Sequence, residues 1–203
     1  MDKIIILVFI LLLCVLVYLN FNKFYESFSN KTFVLVDSKR GAEIIYSIDT
    51  FNKYNKHDRL LRNIGDDDNI TSHYINKLDD WTDYERKIVN WLCEGIETKI
   101  PSEYKFLIKN IEIVKFKKGV EMDFPHTNLS AIFLSKRFID MIIPFFNNNN
   151  LDKCIENIGS IIVHETVHIW QRRDPKFFYG LYKKWKFKKY EKIINSKKFK
   201  NVN

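Results

Sequence analysis

The sequence predicts an α+β fold, and three observations along the chain lead to that class. A strongly amphipathic helix runs from about Asp83 to Thr98. Two short strand-like segments follow it, at Ile111–Lys117 and Ser130–Ser135. Two consecutive helices then occupy the chain from Leu151 onwards. Strands and helices that are grouped along the chain, instead of alternating, are typical of an α+β domain.

An uninterrupted apolar run from Ile4 to Leu19 lies near the start of the chain, and it has no polar face. As a helix it spans about 24 Å, slightly less than a hydrocarbon core of about 30 Å. Residues 17–26 contain no Ala, Gly or Ser, which a signal-peptide cleavage site would need. We therefore expect a single-pass membrane anchor over 4–19, a juxtamembrane stalk over 20–31 and a folded domain over 32–203. The charges that flank the run favour a cytoplasmic domain, whereas three glycosylation triplets along the chain favour the opposite side of the membrane. The orientation therefore stays open.

Composition favours one folded domain over a disordered or disulfide-rich chain. Hydrophobic residues make up 46% and aromatic residues 15% of 203 residues, enough for a core. Of three cysteines, Cys93 and Cys154 could pair, but no Cys-x-x-Cys spacing predicts a thiolate zinc site. The net charge of +8 comes from Tyr182–Lys200, which contains nine lysines and one acidic residue. Basic and acidic residues are equal in number in the rest of the chain.

The elements of the folded domain begin with a strand candidate at Phe33–Asp37, after which residues 38–80 give only weak signals. Thr82 and Glu85 have the spacing of a capping box ahead of the first firm helix. Apolar residues recur there at helical intervals until Pro101, which ends the helix.

The second half of the domain combines strands and helices. Ile111–Lys117 roughly alternates between apolar and polar residues, and Ser130–Ser135 is a second short strand candidate. Between them, residues 121–128 have the composition of a turn that holds His126. A short helix interrupted by Pro144 is predicted at 137–146. One long helix then runs from Leu151 to about Arg173, and Asp174 and Pro175 are a natural N-cap and first residue for a basic helix over 175–200.

One turn of the long helix carries a candidate metal site. In IIVHETVHIW, residues 161–170, His164 and His168 are four apart, so their side chains project from the same helix face. Two imidazole nitrogens there can reach one Zn²⁺ at about 2.0–2.1 Å. Glu165 can reach a water on the open side of the ion without being a ligand. The other residues of this stretch are uncharged, which predicts a helix buried around its metal face. The alternative is a pair of ordinary histidines on a buried helix, whose polar groups would need other partners.

The third zinc ligand is harder to identify. A catalytic zinc usually has three protein ligands and one water. After His168 the chain has no histidine and only two acids, of which Asp174 is explained as a helix cap. Glu191 is therefore the predicted third ligand, on the next helix. The alternative is an upstream donor, for which the candidates are His126, Glu121 and Asp123.

The H-E-x-x-H arrangement of His164, Glu165 and His168 resembles the zincin superfamily of metallopeptidases, and its gluzincin branch if Glu191 is the ligand. The longer stretches FPHTNLSAIFLS and HETVHIWQRRDPKFFYGLYKKW resemble membrane-anchored zinc metalloproteases of large DNA viruses. This resemblance implies a Zn²⁺ cofactor, a peptide or protein substrate, and Glu165 as the base that activates water. It also implies a location in a host or virion membrane.

The same resemblance implies a particular site architecture. A small mixed sheet would pack beside the active-site helix, and an edge strand at residues 130–135 would hold extended substrate by backbone pairing. A further side chain would stabilise the oxyanion, and the candidates for this contact are His126, Tyr179 and Tyr182.

The basic tail and the overall function each leave alternatives open. The tail is either an amphipathic helix packed on the domain or a segment drawn to anionic lipid, and nucleic-acid binding is the least favoured interpretation. Membrane lipid is also a predicted partner of the N-terminal helix. The alternative to a peptidase is a catalytically inactive zinc-binding protein, or a basic membrane-associated structural or binding protein in which the motif is accidental.

Overall fold

The chain divides into two compact units, residues 1–169 and residues 170–203. The computed structural model describes residues 32–49, 54–62, 64–66 and 68–187. The predicted anchor, the stalk and Glu191 lie outside the described residues. Within the described part, no helix combines the length and the hydropathy needed to cross a bilayer.

A four-stranded mixed sheet organises the first unit. The strands, in the spatial order β1-β2-β4-β3, are β1 (Phe33–Leu35), β2 (Ile111–Phe116), β3 (His126–Asn128) and β4 (Ala131–Ser135). Strand β2 is parallel to β1 and β4, whereas β3 is antiparallel to β4. The predicted α+β class with a small mixed sheet is therefore confirmed.

Helices pack on this sheet and continue into the second unit. Those before the metal-site motif are α1 (Ser38–Tyr46), α2 (Lys56–Leu61), α3 (Ile70–Ile75), α4 (Asp83–Lys99), α5 (Lys136–Asn147) and α6 (Leu151–Cys154). A π-helical segment, Ile155–Gly159, joins α6 to α7 (Ser160–Arg173), and α8 (Pro175–Lys184) follows. Short 3₁₀ turns lie at Ser102–Ile108 and Glu121–Asp123.

The two faces of the sheet bury different helices, because alternate side chains along a strand point to opposite sides. Ile113 and Ile132 belong to the hydrophobic cluster that includes Ile162 of α7. Their neighbours Val114 and Phe133 belong to a second cluster, formed with side chains of α1 and α3. We call these sides the α7 face and the α1 face of the sheet.

Helix α4 forms where the sequence predicted it and ends one residue later, at Lys99. Thr82 Oγ1 accepts a hydrogen bond from the Glu85 backbone N–H at 3.2 Å. Glu85 Oε2 accepts one from the Thr82 backbone N–H at 2.9 Å, which completes the capping box. The next helix, α5, continues through Pro144, so the predicted interruption there is wrong.

The edge of the sheet differs from the prediction. Strand β4 lies between β2 and β3, so residues 130–135 are an interior strand and not the edge expected to hold substrate. The edge strand next to β4 is β3, which lies within the stretch predicted to be a turn. Its sequence, His-Thr-Asn, lacks apolar alternation, and its pairing with β4 defines it as a strand.

Helix α8 begins as predicted but ends early. Asp174 Oδ1 accepts a hydrogen bond from the Phe177 backbone N–H at 3.0 Å, which caps the first turn. At the other end Lys186 has a φ of 63°, in the left-handed region. The Phe187 backbone N–H donates to the Tyr182 carbonyl at 2.9 Å, as in a Schellman motif. The predicted helix over 175–200 is therefore wrong in its length, because this motif ends the helix at Lys184.

Candidate metal centre

Helix α7 carries the H-E-x-x-H motif and is held to the first unit by its apolar side chains. Ile162, Thr166 and Ile169 are each 0% exposed and fix this side of the helix against the core. On the same turn, His164 is exposed and His168 is half-buried. The prediction of a helix buried around its metal face is therefore wrong for His164. The imidazole pair opens toward solvent.

The two imidazoles of the motif face each other. His164 Nε2 and His168 Nε2 are 2.9 Å apart, and the two ring planes are nearly perpendicular, at 87°. Glu165 lies beside them with only 8% of its surface exposed. One ligand atom from each of these three residues lies within 4.8 Å of the other two. The helix therefore brings together all three residues that the spacing of the motif predicted.

The distance of 2.9 Å between the two Nε2 atoms fits a hydrogen bond and is slightly short for two ligands of one zinc ion. In neutral imidazoles, one Nε2 could donate a hydrogen bond that the other accepts. Two nitrogens that bind one zinc ion at tetrahedral angles lie about 3.3 Å apart, so an opening of about 0.4 Å would admit the ion. Among the described residues, only His164, Glu165 and His168 form a group of His, Cys or acidic side chains with metal-ligand spacing.

His126 lies away from this pair. Its ring stacks with Phe116 and Phe133, at centroid distances of 5.9 Å and 5.2 Å. Both phenylalanines belong to the α1 face of the sheet, whereas α7 packs on the other face. The structure therefore does not bring His126 to the motif, either as a ligand or as an oxyanion contact. Burial lowers the pKa of His126 below its ordinary value, although the nearby Glu121 carboxylate opposes that shift.

The other upstream candidates, Glu121 and Asp123, also have partners elsewhere. Glu121 accepts hydrogen bonds from the Tyr74 hydroxyl and from Arg62 Nε, the latter at 2.8 Å. Asp123 Oδ1 accepts one from the Gly119 backbone N–H at 2.8 Å. All three residues of the Glu121–Asp123 turn have positive φ, between 49° and 66°, which these contacts help to hold.

The remaining predicted site residues lie in the second unit. Tyr179 is 60% exposed on α8, and Tyr182 is half-buried on the same helix. Glu191 is outside the described residues. The roles predicted for Tyr179 and Glu191 stay predictions.

A buried ion-pair cluster is the main feature that the sequence analysis missed. Lys115 is 3% exposed, and its Nζ lies 2.8 Å from Glu85 Oε2 and 2.7 Å from Asp79 Oδ2. It also donates a hydrogen bond to the Asp80 carbonyl oxygen at 2.8 Å. Strand alternation could have revealed it, because Lys115 shares the parity of the core residues Ile111 and Ile113.

Electrostatics within this cluster favour the charged form of Glu85. Burial alone would raise the pKa of Glu85, but hydrogen bonds from Lys115 and from Thr82 lower it below its ordinary value. Lys136 Nζ lies 3.5 Å from Glu85 Oε1 and adds a second positive charge. The capping carboxylate of α4 is thus also the counterion of a buried lysine.

The two cysteines of the core are separate thiols, so the pairing considered for them does not form. Burial raises the pKa of Cys154 to about 11 and raises that of Cys93 as well. Both thiols are therefore protonated at neutral pH. Neither belongs to the group with metal-ligand spacing among the described residues.

Comparison with known proteins gave no match: no protein-family model fits the chain, and no similar curated protein or solved structure was found. The chemical class of the site therefore rests on the H-E-x-x-H spacing and on the geometry of α7.

Proposed function

We propose that the chain is a membrane-anchored, zinc-dependent peptide hydrolase of the zincin type. One observation carries the proposal: His164 Nε2 and His168 Nε2 face each other at 2.9 Å, with the buried Glu165 carboxylate beside them. The exposed side of His164 supports access for a polypeptide substrate. The apolar segment 4–19 supports the anchor.

Each motif residue has a distinct role in this proposal. His164 and His168 hold the zinc ion, which when bound polarises the scissile carbonyl and a water molecule. Glu165 accepts a proton from the attacking water and passes it to the leaving amine. The core contacts of Ile162 and Ile169 keep the helix rigid, so the two imidazoles and the carboxylate stay in register during the reaction.

The first experiment measures zinc and peptide hydrolysis in the same preparations of the full chain. We expect about one zinc per chain and cleavage of unstructured peptides. Glu165→Gln should keep the zinc and lose about 100-fold or more of the hydrolysis rate, because it removes the base but neither ligand. His164→Ala and His168→Ala should each lose the metal.

Glu156→Gln is the matched control, because Glu156 is an exposed acid on the same helical stretch. It should change neither zinc content nor rate. A chain without stoichiometric zinc would overturn the proposal. A zinc-loaded chain that cleaves no peptide would make it a zinc-binding protein without hydrolase activity. Full activity in Glu165→Gln would contradict the role given to that carboxylate.

Glu191 is the proposed third ligand. Outside the described residues the sequence offers few further side chains of ligand type, namely Asp2, Cys14, Glu26, Asp67 and Glu191. Of these, Glu191 alone follows the motif, as the glutamate ligand of a gluzincin-like site would. The preceding acid, Asp174, is engaged as the N-cap of α8, which supports the choice.

Glu191→Gln should therefore weaken zinc binding by about tenfold or more, measured by competition with a chromophoric chelator. The exposed Glu94 on α4 offers a control, and Glu94→Gln should leave the zinc affinity unchanged. Equal affinities in the two variants would exclude Glu191 as a ligand and leave the histidine pair unaffected.

A further inference from the structure

The net positive charge of the chain comes from the second unit. Residues 170–203 contain twelve Lys and Arg against two acids, a net charge of +10, while residues 1–169 have a net charge of −2. The described part of this unit holds the exposed lysines Lys176, Lys183, Lys184 and Lys186. Within residues 170–187 none of these four forms an ion pair.

Large aromatic side chains are exposed among these lysines. Phe177 is 52% exposed, Tyr179 60%, Trp185 58% and Phe187 68%. Four such residues within 11 positions exceed the scattered exposure normal for a soluble surface. An exposed apolar cluster of this kind indicates a surface that contacts another molecule or a membrane.

The end of α8 gathers the aromatic rings together. The turn at Lys186 brings Phe187 back against Tyr182, at a centroid distance of 6.0 Å. The centroid of the Tyr182 ring also lies 6.2 Å from that of Phe178 and 6.4 Å from that of Trp185. A groove of about 880 Å³ within the second unit is lined by Phe178, Tyr179, Tyr182 and Phe187 together with Lys183. Aromatic and cationic groups are thus presented side by side.

We propose that the second unit binds the surface of an anionic lipid bilayer. Trp and Tyr rings are suited to the headgroup level, and Phe side chains enter the acyl boundary. Lysines keep their charged ends among anionic headgroups while their aliphatic stems cover apolar surface. This proposal goes beyond peptide hydrolysis and does not depend on zinc.

A bilayer suits the chain better than a nucleic acid does. Aromatic residues could stack on bases, and lysines would also attract phosphates. The apolar run Ile4–Leu19, however, already predicts contact with a membrane at the other end of the chain. A segment with weak affinity for lipid then becomes effective, because the anchor raises its local concentration at the surface.

The test uses the full chain in vesicles, with a fluorophore that reports local polarity. Gly180→Cys is a suitable attachment site, because a Cβ there meets no atom within 4 Å. Cys14→Ser removes the thiol in the apolar run, and Cys93 and Cys154 are buried. An NBD label at position 180 should brighten about twofold or more when about 30 mol % phosphatidylserine is added to phosphatidylcholine vesicles. About 0.5 M NaCl should reverse much of that gain.

Two controls accompany the label. NBD on Met141→Cys, at an exposed site in the first unit, should not respond to phosphatidylserine. The triple variant Lys183→Glu, Lys184→Glu and Lys186→Glu should lose the response at position 180. A matched triple variant at the exposed Lys105, Lys109 and Lys153 should keep it. Circular dichroism checks that both triple variants fold.

An equal signal in neutral and anionic vesicles would overturn the proposal, and so would an unchanged response in the Lys183, Lys184 and Lys186 variant. A response to single-stranded DNA on phosphatidylcholine vesicles that exceeds the response to phosphatidylserine would also overturn it, in favour of nucleic acid. None of these results bears on zinc content, so this proposal and the hydrolase proposal fail independently.

Discussion

At the scale of single residues, the most costly interactions to disturb are those of Lys115. Its ammonium group is almost fully buried and is compensated by Glu85, by Asp79 and by the Asp80 carbonyl. A buried charge is tolerated when opposite charge and hydrogen bonds replace its water. The stability of the first unit therefore depends on keeping this cluster neutral as a whole.

Lys115→Met should lower the free energy of unfolding by about 3 kcal/mol, because it leaves the buried Glu85 carboxylate with only the more distant Lys136 as a counterion. Urea denaturation measures this loss. Adding Glu85→Gln to Lys115→Met should recover part of it, since the amide keeps an acceptor for Thr82 without a charge.

Lys118→Met is the comparison for a surface ion pair. The Lys118 side chain is 62% exposed, and its Nζ lies 3.2 Å from Asp140 Oδ2. It should cost less than about 1 kcal/mol. Similar losses in Lys118→Met and Lys115→Met would contradict the importance given to burial.

At the scale of elements, α4 owes its start to a local cap. Thr82→Ala should destabilise the protein by about 1 kcal/mol, because the Glu85 backbone N–H loses its acceptor. Thr82→Ser should restore most of that loss, since serine offers the same oxygen. Thermal or urea unfolding of the two variants measures the difference, and equal stability of alanine and serine would show that the cap contributes nothing.

Local signals explain which elements the sequence could predict. The bounds of α4 follow from its cap and its apolar spacing, and Asp174 marks the start of α8 for the same reason. The short helices α1, α2 and α3 also have side-chain caps, from Asp37, Asn55 and Asn69, but they are only six to nine residues long, and α1 packs closely against distant residues. Gly41 of α1 illustrates this, because a Cβ there would lie 2.9 Å from Leu78 and from Val114. Such long-range contacts leave no periodic pattern in residues 38–80.

The residues of the candidate site also differ in whether local signals or long-range contacts determine their positions. His164, Glu165 and His168 come together because one helical turn places them, so spacing alone predicts their proximity. Spacing does not predict contacts between residues that are far apart in the sequence. His126 illustrates the failure: its place beside the predicted strand was right, but the alternation of β4 puts its stacking partner Phe133 on the α1 face.

At the scale of the whole molecule, two half-buried histidines make folding sensitive to mild acid. Burial lowers the pKa of His126 and of His73 in the folded state below their ordinary value. The unfolded chain therefore takes up protons first as the pH falls below about 6.5. The contribution of these neutral rings to the free energy of unfolding is complete above that pH. It is lost as the pH falls toward their folded-state pKa values. Glu85, with a lowered pKa, responds only in more acidic solution.

His126→Phe should flatten the decline in the free energy of unfolding between about pH 7 and pH 5, because the aromatic stack remains and the titrating group is gone. Urea denaturation at several pH values, with a chelator to exclude metal release, measures the slope. His57→Phe, at an exposed position on α2, should keep the original slope. Identical slopes for the two variants would contradict the role given to His126.

The π-helical segment ahead of α7 has a consequence for the direction in which the imidazoles point. Cys154, Ile158 and Ile162 recur every four residues and are all almost fully buried. A regular α-helix would overshoot by about 40° at each such interval, and the wider turn of Ile155–Gly159 reduces that drift. Loss of one residue from this segment would swing His164 and His168 by about 100° around the helix axis. The outward aim of the imidazole pair is thus set by the length of the preceding segment as well as by the motif itself.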